Sequence, residues 1–184
     1  MLTIFSLQPL YFDEWIARGL VTRLSVGVMV LGLSSCSPGK VEPNHKNLEP
    51  IYSVAAYTAD RDPSKDLLMS TKQAQSQQKR ILLQVGGNWC SWCRTLDQFV
   101  HDNRTVRAVL NRNFIIMKVN YSEKNPNEEF LSAYPEILEF PHFYVLDSNG
   151  VLLHSQGTAD LEQGQSYNEA AFLAFLRKWS PSAD

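Results

Sequence analysis

The sequence predicts an α/β fold, a central mixed sheet flanked by helices, behind an export signal and a flexible tether. Three observations point there. Two nearly continuous apolar runs, ILLQV at 81–85 and FIIMKV at 114–119, have the unbroken hydrophobicity of strands covered on both faces. Between them Val106, Val109 and Leu110 fall on one face of a helix over Asn103 to Leu110, which makes a strand, helix, strand order. Further on, Phe143–Leu146 and Val151–Leu153 flank the turn residues Asp147, Ser148, Asn149 and Gly150, so these two strands form a hairpin.

The chain of 184 residues has room for one domain plus extensions. Its composition, 44% hydrophobic and 20% charged, is too apolar for wholesale disorder. Lys and Arg total 17 against 19 Asp and Glu, a net charge of -2 without blocks of like charge. That balance lacks the electrostatic footprint of a nucleic-acid binder, so no nucleic-acid partner is expected. No uninterrupted apolar run reaches the roughly 18 residues that a spanning helix demands, so no permanent span is expected.

The cysteines are Cys36, Cys90 and Cys93, an odd number that a disulfide scaffold would not leave. Cys36 closes the apolar stretch LSVGVMVLGLSSC, whose length suits a signal-peptide core. Leu33, Ser34, Ser35 and Cys36 resemble a bacterial lipobox, in which the cysteine is lipidated and becomes the mature N-terminus. The organisation expected is a signal over 1–35, the lipidated cysteine and linker over 36–60, and the folded domain over 61–184. Asp13 and Glu14 fit badly in a signal n-region, so the expected start lies near Leu20 or Val21, with residues 1–20 outside the natural product. Acyl chains would hold the protein at a membrane surface as a peripheral lipid anchor. Ser37 stands where an aspartate typically marks inner-membrane retention, so the outer membrane is the expected address. Pro38, Gly39, Pro43 and Pro50 interrupt the stretch from Ser37 to about Tyr57, which reads as a coil spanning roughly 25 Å.

The folded part opens with Asp62 as N-cap and Pro63 at the first helical position, followed by Leu67, Thr71, Ala74 and Gln78 at helical spacing. It closes with Phe172, Phe175, Leu176 and Trp179, a stripe that should pack a last helix on the sheet.

Between the first core strand and the next helix lies Trp89-Cys90-Ser91-Trp92-Cys93. A cysteine at a helix start sits among unpaired backbone N–H groups and at the positive end of the helix dipole, and both favour thiolate over thiol. Arg94 adds a neighbouring positive charge. Cys90 is therefore the expected nucleophile toward a disulfide. Cys93 falls one turn further on the same face, placed to attack the mixed disulfide and leave the two cysteines bridged.

A strand, WCxxC, helix order with a later proline before a hairpin resembles the thioredoxin superfamily over about Ser64 to Trp179. More closely, KRILLQVGGNWCSWCRTLDQFV and VRAVLNRNFIIMKVN are similar to the periplasmic thioredoxin-like proteins related to the C-terminal domain of the thiol-disulfide interchange reductase. The resemblance implies a thioredoxin-like fold with a cis-proline facing the first cysteine. Phe140 and Pro141 match that position, and only an X-Pro bond makes cis accessible at small cost. Trp89, Trp92, Phe140 and Pro141 are the implied substrate-binding residues. The implied partners are periplasmic protein thiols and disulfides and a membrane thiol-disulfide electron donor. The sequence departs from thioredoxin where the buried aspartate would lie, because Gln84 stands there and exchanges no proton. Ser91 and Trp92 replace the Gly-Pro pair between the cysteines, so a reduction potential does not carry over.

Other chemistries have less support. A structural zinc site needs about four ligands, and the C-x-x-C has only His101 and His142 for company. Cys90, Cys93 and His142 form the alternative, a copper-binding metallochaperone of the same fold. A lipoprotein that only holds unfolded clients would not need both thiols. No glycine-rich phosphate loop, G-x-S-x-G elbow or H-E-x-x-H pair is present, and no cofactor is expected.

Overall fold

The protein is described here by a computed structural model over residues 49–182. The expected signal, Cys36 and the segment 1–20 lie outside the described residues. Five strands form one sheet in the order β1-β3-β2-β4-β5. They are β1 Ile51–Val54, β2 Arg80–Gly86, β3 Phe114–Asn120, β4 His142–Leu146 and β5 Leu152–Gly157. β1, β3 and β2 run parallel, and β4 and β5 pair antiparallel beside β2, so the sheet is mixed as predicted. The helices are α1 Pro63–Ser76, α2 Ser91–Asp102, α3 Arg104–Asn113, the short α4 Glu128–Leu131 and α5 Glu169–Lys178. A small ribbon, β6 Glu162–Gln163 with β7 Ser166–Tyr167, precedes α5.

Strand alternation divides the core in two. Ile81, Leu83 and Val85 of β2 join Ile115, Met117 and Val119 of β3 under α1, with Ala74 at the contact. Leu82, Phe114 and Ile116 face the other way, against Leu96 and Val100 of α2, Val106 and Leu110 of α3, and Phe172, Phe175 and Leu176 of α5. With helices on both faces, the two central strands have no solvent side, which is why their sequences do not alternate. Full burial of each such side chain contributes about 1.5–3 kcal/mol. Trp179 is partly buried on the same cluster and stacks on His154 at 4.4 Å.

Two expectations are corrected. The linker assigned to 36–60 does not run that far: Ile51, Tyr52 and Val54 pair in parallel with Ile115, Ile116 and Met117. This four-residue edge strand directly follows Pro50, too short for a pattern of its own to emerge. Gln78 does not continue α1. The helix is capped at Gln77, and Gln78 takes a left-handed φ of 53° as the chain turns into β2. Its start is as expected, with Asp62 accepting from the backbone N–H groups of Ser64 and Lys65. Among the described residues, no helix is long and apolar enough to cross a membrane.

Candidate active site

β2 ends at Gly86, and α2 begins at Ser91 with Cys90 as its N-cap. Cys90 has extended backbone angles, and its Sγ accepts a hydrogen bond from the Cys93 N–H at 3.0 Å. The sulfur thus takes the place that a serine or aspartate oxygen usually fills at a helix start, among otherwise unpaired donors. Cys90 and Cys93 are joined as a disulfide, their Cα atoms 5.2 Å apart, well inside the roughly 7 Å reach of such a bridge. Both are buried, Cys90 at 4% exposure and Cys93 at 1%.

The loop before the pair is braced from several sides. Asn88 Nδ2 donates to Tyr57 O at 3.2 Å, and the Cys90 N–H donates to Gly87 O at 3.0 Å. Arg94 uses one guanidinium nitrogen on Asn88 O at 2.8 Å and Cys90 O at 3.4 Å. Its charge sits beside the motif, but its bonds go to backbone carbonyls. Trp89 is exposed, with Nε1 donating to Tyr121 O at 2.6 Å and its ring edge-on to Phe140 at 5.4 Å. Gly87 permits this fold-back: a Cβ there would lie 2.8 Å from Tyr121 O. Trp89 and Tyr121 line a cleft of about 570 Å³ with Ser122, Glu123 and Lys124. Trp92, half-buried, packs against the cluster of Tyr57, Cys90 and Cys93 and lies edge-on to Tyr167 at 5.7 Å.

Phe140 packs on the cluster formed by Tyr57, Cys90 and Cys93, and the Phe140–Pro141 bond is cis. Thr158, 1% exposed, holds the proline segment by donating to Pro141 O at 2.9 Å. Tyr167 Oη donates to Thr158 Oγ1 at 3.4 Å, linking the segment to the tyrosine on which Trp92 rests. His142, next in β4, does not join the cysteines. Its Nε2 lies 2.8 Å from Ser155 Oγ, and burial pushes its pKa below the ordinary histidine value. Among the described residues, no group of three or more His, Cys, Asp or Glu is arranged to hold a metal ion.

Gln84 of β2 reaches the pair's surroundings through Tyr57, which packs with both cysteines. Gln84 is 4% exposed and donates from Nε2 to Tyr57 Oη at 2.8 Å. Beside it in register stands Lys118, whose buried Nζ donates to both Asp97 carboxylate oxygens at 2.8 and 2.7 Å and lies 5.0 Å from the Tyr57 ring centre. Sequence reasoning missed Tyr57, Asp97, Lys118, Tyr121 and Thr158. Lys118 had a signal, a lone charge inside an apolar strand, and such a residue needs a buried partner. Asp97 could have been found from it, since it lies one turn beyond Cys93 on α2. Tyr57 lay in the segment that reads as linker.

The arrangement is a bridged vicinal thiol pair at a helix N-terminus, edged by a cis-proline segment and a surface tryptophan. Residues 63–148 match the profile of the thioredoxin-like family. Among solved structures, the chain is similar to a disulphide isomerase from Xylella fastidiosa Temecula1, with 22% identity and a TM-score of 0.57. That likeness covers 66% of this chain and 94% of the isomerase. It is also similar to the oxidised C-terminal domain of DsbD from Neisseria meningitidis, with 14% identity and a TM-score of 0.50, covering 68% of this chain and 99% of that domain. An uncharacterized protein of Caenorhabditis elegans is 29% identical over 63 residues, which are 34% of this chain and 9% of the worm protein. The architecture and the family match agree: the described domain has the thioredoxin-like fold, and its residues 63–148 match the thioredoxin-like family.

Proposed function

We propose that the protein is a thiol-disulfide oxidoreductase of the cell envelope that reduces or isomerises protein disulfides through Cys90 and Cys93. The observation that carries the reading is the Cys90–Cys93 bridge at the N-terminus of α2, with Cys90 Sγ accepting the Cys93 N–H. Backbone donors at a helix start stabilise negative charge on sulfur and draw its pKa down. Cys90 is the nucleophile. Its thiolate attacks a client disulfide, forming a Cys90–client bond and releasing one client thiolate. Cys93 then attacks Cys90 Sγ, the second client sulfur leaves as thiolate, and the two electrons end on the client. Phe140 and Trp92, packed against the cysteine cluster, together with Pro141 and Trp89, which lies edge-on to Phe140, receive the client backbone. The fold neighbours described as a disulphide isomerase and as the DsbD C-terminal domain support a partner that supplies electrons as thiols. They also support an envelope location. Lipidation of Cys36, anchoring the domain to the outer membrane, completes the reading.

Substitution tests the division of labour. Cys93→Ser should accumulate mixed disulfides with clients on non-reducing gels, whereas Cys90→Ser should trap none and be inactive. Equal trapping by both variants would overturn it. A measured reduction potential near the oxidising end of the known range, roughly -120 mV rather than -270 mV, would reverse the direction and leave the chemistry intact. The copper-binding alternative has less support from the geometry, because among the described residues no group of three or more His, Cys, Asp or Glu is arranged to hold a metal ion.

A further inference from the structure

The floor beneath Cys93 is assembled from parts of the chain outside the C-x-x-C motif. A Cβ placed on Gly86 would lie 2.5 Å from Cys93 Sγ and 3.1 Å from Tyr57 Oη, so sulfur and hydroxyl stand against the same glycine. Tyr57 is buried at 7% exposure and belongs to one contact cluster with both cysteines. Gln84 Nε2 donates to Tyr57 Oη at 2.8 Å. A phenol that accepts in this way still has its own proton to give, and that proton turns away from the amide NH₂. Cys93 Sγ, against the same glycine, is the sulfur that stands beside it.

We propose that in the reduced protein Tyr57 donates its hydroxyl hydrogen to Cys93 sulfur, with Gln84 fixing the hydroxyl, and that this bond lowers the pKa of the resolving thiol. The inference rests on Cys93 as the resolving thiol. No proton is transferred to or from Tyr57. Its burial, and then the Asp97 carboxylate, hold the phenol pKa far above its ordinary value, so it remains a donor throughout. A donor that cannot ionise favours thiolate over thiol at the sulfur it faces. The charged and titratable groups around Tyr57 are Lys118 from β3, its partner Asp97 from α2, Tyr52 from β1 and Tyr167 from β7. Lys118 is paired with Asp97, and the two other tyrosines are pushed up to about 12, so neither tyrosine ionises around neutral pH. The hydroxyl gives Cys93 a hydrogen-bond donor and takes no proton, so it does not replace the exchangeable carboxyl that Gln84 lacks.

Tyr57→Phe is the test, since it keeps the ring under Lys118 and removes only the hydroxyl. In the reduced full chain, alkylation followed by peptide-resolved mass spectrometry gives separate pH profiles for Cys90 and Cys93. A hydrogen bond to an ionised group belongs to the strong class. Its loss should raise the Cys93 pKa by about one unit and reduce its thiolate fraction at pH 7 about tenfold, with the Cys90 profile unmoved. An unchanged Cys93 profile overturns the proposal, and so does an equal shift of both cysteines, which is what a purely structural role would give. Should the variant fail to fold, the wild-type chain decides. With ¹³Cζ-labelled tyrosine, the Tyr57 resonance should titrate with the Cys93 pKa, and a resonance flat across that range overturns the proposal. If Cys93→Ser traps no clients while Tyr57→Phe still moves the Cys93 profile, the functional reading falls and the hydrogen bond stands.

Discussion

Gln84→Asp is the substitution whose consequences follow most directly from the geometry. Gln84 is 4% exposed, stands between Lys118 and Phe143 in the sheet, and spends its amide on Tyr57 Oη. A carboxyl there is one methylene shorter, loses that donor, and finds the neighbouring ammonium already held by both oxygens of Asp97. Lost hydrogen bonding and a small void cost about 1–2 kcal/mol at every pH. Burial adds a pH-dependent cost, because it raises the carboxyl pKa above its unfolded value of about 3.9. Below the unfolded pKa both states are protonated and this second cost vanishes. As pH rises the unfolded chain ionises first, and stability falls by about 1.36 kcal/mol per unit until the folded pKa is passed. With a folded pKa near 7, within the range known for buried carboxyls, the cost is about 1.5 kcal/mol at pH 5 and about 4 kcal/mol at pH 8. Urea denaturation of the oxidised wild type and variant at both pH values reads the difference. If the variant's deficit is the same at pH 5 and pH 8, the carboxyl is solvated and the buried floor described here is wrong. The same variant tests the chemistry in the opposite sense, because a carboxyl able to take a proton from Cys93 should speed release of client. General-base assistance is worth about 10² to 10⁴ in rate, and no acceleration would mean that proton transfer does not limit resolution.

Other outcomes follow from individual contacts. Asp97→Ala leaves the Lys118 ammonium, 8% exposed, without its partner and should cost about 2–4 kcal/mol in urea melts, while adding Lys118→Met should restore most of that; a double variant no better than the single would contradict the pairing. Thr158→Val removes the hydroxyl that holds Pro141 O and should lower stability by about 1–2 kcal/mol, with an unchanged midpoint counting against that bond. Because burial depresses the His142 pKa, its contribution is present above the unfolded value of about 6.5 and is lost as pH falls through the folded value, so His142→Leu should flatten that part of the stability-pH curve. Mass spectrometry of the mature protein should find acylated Cys36 at the N-terminus, and an unmodified Cys36 or another N-terminus would remove the anchor from the reading.

The two central strands were legible because helices cover both sides of the sheet, and an apolar run such as FIIMKV admits few other placements. The N-cap at Asp62 and the turn at 147–150 were legible because their chemistry is local, a side-chain oxygen on nearby N–H groups in each case. β1 was hidden by its length and edge position. The stretch from Tyr121 to Phe140 was hidden for another reason. Asn120, Asn125 and Asn127 satisfy its backbone with side-chain bonds to Asn125 O, Ala59 O and Asn120 O, so its order has no period to detect.

The same division runs through the site. The two cysteines announce themselves because a bridged pair one helical turn apart is written into four consecutive residues. What tunes them is not local. Tyr57 reaches Gln84 across 27 positions of sequence, and Lys118 reaches Asp97 across 21. These contacts exist only because β2 lies between β3 and β4 and carries its motif to the sheet's end against α2. A change in the motif dipeptide Ser91-Trp92 acts on both sulfurs at once through the helix N-terminus they share. If Tyr57 donates to Cys93 as proposed, a change in the floor acts mainly on Cys93, whose sulfur stands against Gly86 beside the Tyr57 hydroxyl. On the proposed function, the rate of client attack and the rate of client release would be set by different parts of the fold. Variants of Ser91 and of Tyr57 should separate them in single-turnover kinetics: the first moves both steps, and the second moves release only.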